Sequence, residues 1–204
     1  MRKVLMVMFS TLDGRAQFPI TPPPATPEEA DEEDPMWKPR FDSIDTLLLG
    51  RKSYEAWSAF WPKRKDDPTA GTWQKEFSRF ADRCRKVVFS KSLKEATWVN
   101  SEIVRGSPRE VVAALRKKKG RDLALGGGPR LAQSFLADEL VDEMLIEVFP
   151  SIVEKGKPFF HTIDDPDFPE DRIPIGAPGR HDFRLLEAKP LSDGTLFLRY
   201  ERAK

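Results

Sequence analysis

The 204-residue chain is 33% charged with a net charge of +1, so it has no basic excess to hold a polyanion, and nucleic acid is not expected as a partner. Its single cysteine, Cys84, excludes an internal disulfide and any cysteine-pair metal site. Apolar runs such as Val4-Leu-Met-Val-Met-Phe9 are too short to span a bilayer and too poorly flanked to make a signal peptide. The simplest expectation is one cytoplasmic α/β domain over residues 1–204.

Residues 3–9 are continuously apolar after the lysine, the pattern of a strand covered on both faces in a parallel sheet. Asp13-Gly14 supplies turn chemistry at its carboxyl end, the edge where open α/β sheets take ligands. From Pro19 to Pro35 the chain holds six prolines and the acidic run Glu28 to Asp34, read either as a solvated insertion or as a flap over a site at the first strand's end. Asp45-Thr-Leu-Leu-Leu-Gly50 is a second buried strand, and a helix begins directly after its glycine with Arg51, Lys52 and Ser53, residues suited to phosphate oxygens. Trp73, Phe77, Phe80 and Ala81 mark an amphipathic helix whose aromatics belong to the core. Arg83, Arg85 and Lys86 flank Cys84 and would lower its pKa; an ordinary cysteine at a helix end is the plainer reading.

A third strand, Lys86-Val-Val-Phe-Ser90, ends in Ser90-Lys91-Ser92, again hydroxyls and a cation at a strand terminus. Ser107-Pro-Arg-Glu110 is a capping box, and Lys117 to Lys119 suit the negative end of the helix it starts. The stretch Asp122 to Leu136 reads as a short buried strand, three glycines and a helix with Pro129 in its first turn. Gly126, Gly127 and Gly128 would allow positive φ and a close approach of backbone to a flat or charged ligand, or serve only a tight, well-packed turn. A further strand follows within Leu140–Phe149, and Ser192-Asp-Gly194 joins two final strands as a C-terminal antiparallel hairpin. His161 and His181 have no ligand spacing between them, so no metal site is expected.

Four stretches in this order resemble the dihydrofolate reductase-like fold family: Ser10-Thr-Leu-Asp-Gly14, Asp45 to Glu55, Lys86-Val-Val-Phe-Ser90, and Gly127-Gly-Pro-Arg-Leu131 followed by Leu140-Val-Asp-Glu143. They look most like its riboflavin-biosynthesis reductase branch, the RibD C-terminal domain. The resemblance implies a three-layer α/β fold with a mostly parallel sheet, and NADPH along the strands' carboxyl ends. Gly50, Arg51, Lys52 and Ser53 would hold pyrophosphate or 2′-phosphate, and Ser90 and Lys91 would border the adenosine end. Gly126, Gly127, Gly128 and Leu131 would lie beneath the pyrophosphate and nicotinamide side, with Phe9 and Ala16 against the nicotinamide.

In folate-reducing relatives a carboxylate ahead of the second strand donates a proton, and counting back from Gly50 places Asp34 there, with Trp37 three residues on. A helix-capping aspartate before Pro35 explains Asp34 as well. The peptide between the paired glycines is cis in such relatives. The implied reaction is hydride transfer to a small pyrimidine- or pterin-like heterocycle. The threonine-glycine and arginine-histidine-leucine-arginine segments that grip a phosphoribosyl substrate are absent between Gln17 and Asp45, which puts a 5-amino-6-(5-phosphoribosylamino)uracil reductase activity in doubt. A dihydrofolate or pterin reductase and a nucleotide-binding protein without turnover stay open. The terminal hairpin can pair with a second copy, as in riboflavin-type relatives.

Overall fold

The computed structural model describes residues 1–16, 36–154, 158 and 180–203. The proline- and acid-rich insertion at 19–35, Asp34 within it, and His161 lie outside the described residues. In chain order the strands are β1 (Val4–Thr11), β2 (Ile44–Gly50), β3 (Arg85–Phe89), β4 (Ser101–Val104), β5 (Asp122–Leu125), β6 (Glu143–Phe149), β7 (Phe183–Pro190) and β8 (Leu196–Arg202). The helices are α1 (Arg51–Phe60), α2 (Thr72–Arg83), α3 (Pro108–Arg116) and α4 (Pro129–Ala137).

The run of leucines in β2 shows why the sheet lies between two helix layers. Leu47 and Leu49 pack into one apolar cluster with Tyr54 and Trp57 of α1 and Phe77, Phe80 and Ala81 of α2. Leu48 points the other way, into a cluster with Val112 and Leu115 of α3 and Ala132, Phe135 and Leu136 of α4. Because strand side chains alternate, a strand covered on both faces needs apolar residues at successive positions, and β1 has them from Val4 to Phe9 and β2 from Leu47 to Leu49. Each fully buried leucine contributes roughly 1.5–3 kcal/mol through the area it removes from water.

The strands form one eight-stranded sheet in the order β4-β3-β2-β5-β1-β6-β8-β7. β1 to β6 are mutually parallel, while β8 pairs antiparallel with β6 and with β7. The mostly parallel sheet and terminal hairpin agree with the sequence reading, and Gly194 turns the hairpin at φ +82°. The short strand β4 was not expected: it joins β3 in parallel after a connection that carries no helix. That connection is held by packing, with Trp98 buried, its backbone N–H donating to Tyr54 Oη at 2.9 Å and its indole N–H to Asp82 Oδ1 at 2.6 Å.

The capping box of α3 forms in full, with Ser107 accepting from Glu110 N–H while the Glu110 carboxylate accepts from the Ser107 backbone. At the other end of the strands, buried Arg2 pairs with Asp45 and donates to Thr46 Oγ1 at 2.8 Å, tying β1 to β2 across the intervening β5. The α2–β3 junction buries two titratable groups. Lys86 Nζ donates to the helix-end carbonyls of Ala81 (2.7 Å) and Asp82 (3.1 Å), and burial pulls its pKa down to about 8. Burial pushes the Cys84 thiol up to about 12, overriding the lowering by neighbouring Lys86 and Arg83, so Cys84 is not an activated thiol.

Candidate functional site

β2 and β5 are parallel neighbours, yet the helices that follow them leave on opposite faces of the sheet. Where adjacent strands diverge in this way a crevice opens beyond their carboxyl ends, the position at which open α/β sheets take ligands. Both helices start at that crevice with glycine at the N-cap, Gly50 for α1 and Gly128 for α4, and neither N-cap makes a side-chain hydrogen bond. The first-turn N–H groups of α1 and the Arg130 N–H of α4, which follows Pro129, together with two positive dipole ends, favour an anion.

The two helix starts touch. A Cβ built on Gly50 would lie 3.9 Å from Cβ of Leu131, and one built on Gly128 would lie 3.9 Å from Ser53 Oγ. Gly50, Ser53, Gly128 and Leu131, chosen from separate stretches of sequence, are thus brought together. Arg51 and Lys52 are exposed on the first turn of α1. Arg51 is engaged, since its Nη1 donates to both oxygens of Glu55, at 2.9 and 3.1 Å. That exposed pair is worth only about 0.3–0.5 kcal/mol, so a phosphate group can displace it.

Ser90 and Lys91 follow β3, whose Phe89 lies beside Gly50. The Ser90 hydroxyl accepts from the N–H of Leu93 (2.9 Å) and of Ser92 (3.2 Å), closing a local turn. Arg105, which sequence reasoning missed, donates to Lys91 O at 2.7 Å and brings a second cation to this corner. Its only sequence signal was its place just after a four-residue strand that went unrecognised. Phe9 and Ala16 reach the end of β1 from opposite faces, Phe9 packing against the α1–α2 side and Ala16 against the α3–α4 side. Phe9 stacks on Phe149 with ring centroids 6.3 Å apart.

The glycines differ from expectation. None of Gly126, Gly127 and Gly128 has positive φ, so no unusual backbone conformation requires glycine at these positions. All peptide bonds among the described residues are trans, that between Gly126 and Gly127 included. A Cβ on Gly126 would stand 3.0 Å from Cη2 of Trp57, and one on Gly127 would stand 2.9 Å from Cδ2 of Leu131. These two glycines are filled against by the protein itself. Gly128 meets nothing nearer than Ser53 Oγ, which makes it the glycine open to a ligand.

A doubly covered, mostly parallel sheet with an antiparallel hairpin and paired helix starts at a central crevice defines the dihydrofolate reductase-like class. Dihydrofolate reductase from Enterococcus faecalis, solved with NADP(H), shares this fold at a TM-score of 0.57 and 14% identity, over 99% of this chain and 97% of that one. A candidate riboflavin biosynthesis protein from Shewanella sp. PV-4 superposes at a TM-score of 0.68 with 18% identity, over 99% of each chain. The RibD C-terminal domain pattern matches residues 2–195, and the chain belongs to that family. The uncharacterized protein YyaP of Bacillus subtilis is 35% identical over 123 residues, a match spanning 58% of this chain and 61% of YyaP.

Proposed function

We propose that the chain is an NADPH-dependent reductase that transfers hydride to a small pyrimidine- or pterin-like heterocycle. The observation that carries this reading is the juxtaposition of two helix starts lacking side-chain caps, with Ser53 Oγ facing Gly128 across the β2–β5 crevice. The residues there fit a dinucleotide phosphate: main-chain N–H groups, a hydroxyl, an unobstructed glycine and a rim of Arg51, Lys52, Lys91 and Arg105. NADPH, when bound, would supply the hydride.

The protein's part is binding, orientation and exclusion of water. The first-turn amides of α1, the Arg130 amide of α4 and the Ser53 hydroxyl would donate to pyrophosphate oxygens, since Pro129 has no N–H and the Leu131 N–H already donates to Gly128 O at 3.0 Å. Arg51 exchanges Glu55 for the 2′-phosphate, a charge-assisted bond that an NADH-type ribose would not offer. Phe9 and Leu131 supply apolar surface that keeps the reacting end dry. Asp34 remains the proposed proton donor to the substrate, and Asp34→Asn should lower turnover while leaving NADPH affinity nearly unchanged. A second copy pairing through the β7–β8 hairpin is the proposed oligomer.

The test adds NADPH to the protein and screens pterins, folates and pyrimidines for loss of nicotinamide absorbance. Oxidation with one of these classes supports the reading. Binding of NADPH without turnover on any of them favours a nucleotide-binding protein.

A further inference from the structure

A second concave site lies at the amino-terminal edge of the sheet, opposite the crevice. Between the turn that follows α3 and the first residues of β2, β3 and β4 there is a cavity of about 540 Å³. Strand alternation explains its polar floor. Leu48, Val87 and Val104 pack into the α3–α4 cluster, and Thr46, Arg85 and Glu102, each two residues earlier on the same strand, share that face of the sheet. Arg85 pairs with Glu102 at 2.6 Å, and Arg2 pairs with Asp45 beside them.

The lining is strongly basic. It holds five cations, Arg2, Arg83, Arg85, Lys118 and Lys119, against the two carboxylates Asp45 and Glu102, in a chain whose overall net charge is only +1. With Arg2 and Arg85 paired, three cations stay uncompensated. Arg83 donates to Phe41 O at 3.2 Å, and the nearest carboxylate, that of the fully exposed Asp42, stands 4.0 Å away. Lys118 and Lys119 are exposed and have no side-chain partner among the described residues. Capping of α3 does not account for them, because the Leu115 carbonyl accepts from the Lys118 main-chain N–H at 3.1 Å and from Arg2 Nη1 at 3.4 Å. Nor does α2, whose last carbonyls are filled by buried Lys86. Gly120 carries the chain closely over the Arg2–Asp45 pair, where a Cβ would stand 2.8 Å from Arg2 Cζ and Asp45 Oδ2, and this close crossing sets the two lysines beside the cavity.

We propose that this cavity is a second anion site, which takes a small molecule carrying two or more phosphate groups. Lys118 and Lys119 supply free ammonium groups and Arg83 a loosely held guanidinium, and an anion of several charges relieves their mutual repulsion where a singly charged one would leave most of it. The site is distinct from the β2–β5 crevice: Asp45 and Gly50 lie five residues apart along β2, roughly 16 Å, too far for one pyrophosphate to meet both. It does not depend on the reductase reading.

The test titrates inorganic pyrophosphate, followed by calorimetry at physiological ionic strength, into the wild type and three variants. The double change Lys118→Gln, Lys119→Gln should weaken binding at this site by about tenfold or more and leave the melting temperature without anion unchanged, since neither ammonium group holds the fold together. The double change Lys63→Gln, Lys75→Gln removes the same charge elsewhere and should bind as the wild type does. Arg51→Ala, which alters the crevice, should keep the site that the lysine pair removes. Undiminished binding in the Lys118, Lys119 variant overturns the proposal, as does an equal loss in the Lys63, Lys75 variant, loss of all pyrophosphate binding in Arg51→Ala, or a wild type that binds no pyrophosphate. Binding that needs Lys118 and Lys119 in a protein that takes no NADPH upholds this site while refuting the reductase reading.

Discussion

Gly127 and Gly128 are consecutive, but an added methyl group meets different surroundings at each. At Gly127 it would enter the space of Leu131 Cδ2 (2.9 Å), Leu131 Cβ (3.1 Å) and Leu125 Cδ1 (3.3 Å). Overpacking of this kind costs about 1–3 kcal/mol, so Gly127→Ala should lower the melting temperature. Gly128→Ala meets only Ser53 Oγ at ordinary contact distance and should leave stability unchanged while weakening NADPH binding. Thermal unfolding and nucleotide titration of both variants check this; a Gly128→Ala protein that binds NADPH normally would remove that glycine from the site. At Arg51, a charge-assisted bond to the 2′-phosphate is worth roughly 1.5–3 kcal/mol, reduced by the cost of leaving Glu55. Arg51→Ala should therefore weaken NADPH binding by about tenfold or more and scarcely affect NADH, and Glu55→Gln should strengthen NADPH binding a few-fold. Equal losses for the two nucleotides would show that Arg51 does not read the phosphate.

At the scale of elements, the α2–β3 junction makes a pH prediction. Lys86 titrates at about 8 in the folded protein against an ordinary 10.5. Between those values the unfolded chain holds a proton that the folded one lacks, so this group makes stability rise with pH. Cys84, moved from 9.0 to about 12, acts in the opposite sense: the folded thiol keeps a proton that the unfolded chain has lost, and stability falls with pH over that span. In Cys84→Ala the rise should run on from about pH 8 to 10, whereas in the wild type it should level near pH 9. Urea midpoints across that range measure both, and a steady fall in Cys84→Ala contradicts the assignment to Lys86. The strand β7 makes a second prediction, because it is the last strand of the sheet among the described residues and its Leu185 and Leu186 are 49% and 37% exposed. If a second copy covers this edge, the double change Leu185→Lys, Leu186→Lys should halve the mass seen in sedimentation; an unchanged mass would place the interface elsewhere.

The hairpin, the strands β1, β2, β3, β5 and β6 and the helices α1 to α4 were legible because each has a local cause: an apolar run, an amphipathic period, a capping residue, or glycine after a strand. β4 was not, since the half-buried Ser101-Glu-Ile-Val104 takes its strand character from pairing with β3 and not from any pattern of its own. The glycine segment was found but misread in detail. Which way each Cα faces depends on Trp57 and Leu131, and only the folded packing reveals that. Arg105 was missed for the same reason, as its approach to Lys91 follows from the parallel β3–β4 register.

At the scale of the whole molecule, the site arises from topology. Adjacent strands send their helices to opposite faces, and two helix starts meet where the layers part. The central claim is that a dinucleotide phosphate lies in this β2–β5 crevice. A crystal structure with NADPH tests it most directly. Density for the pyrophosphate between Ser53 and Gly128, with Arg51 turned from Glu55 to the 2′-phosphate, is the predicted result. Nucleotide bound at another edge of the sheet, or a crevice that stays empty at saturating NADPH, would contradict it.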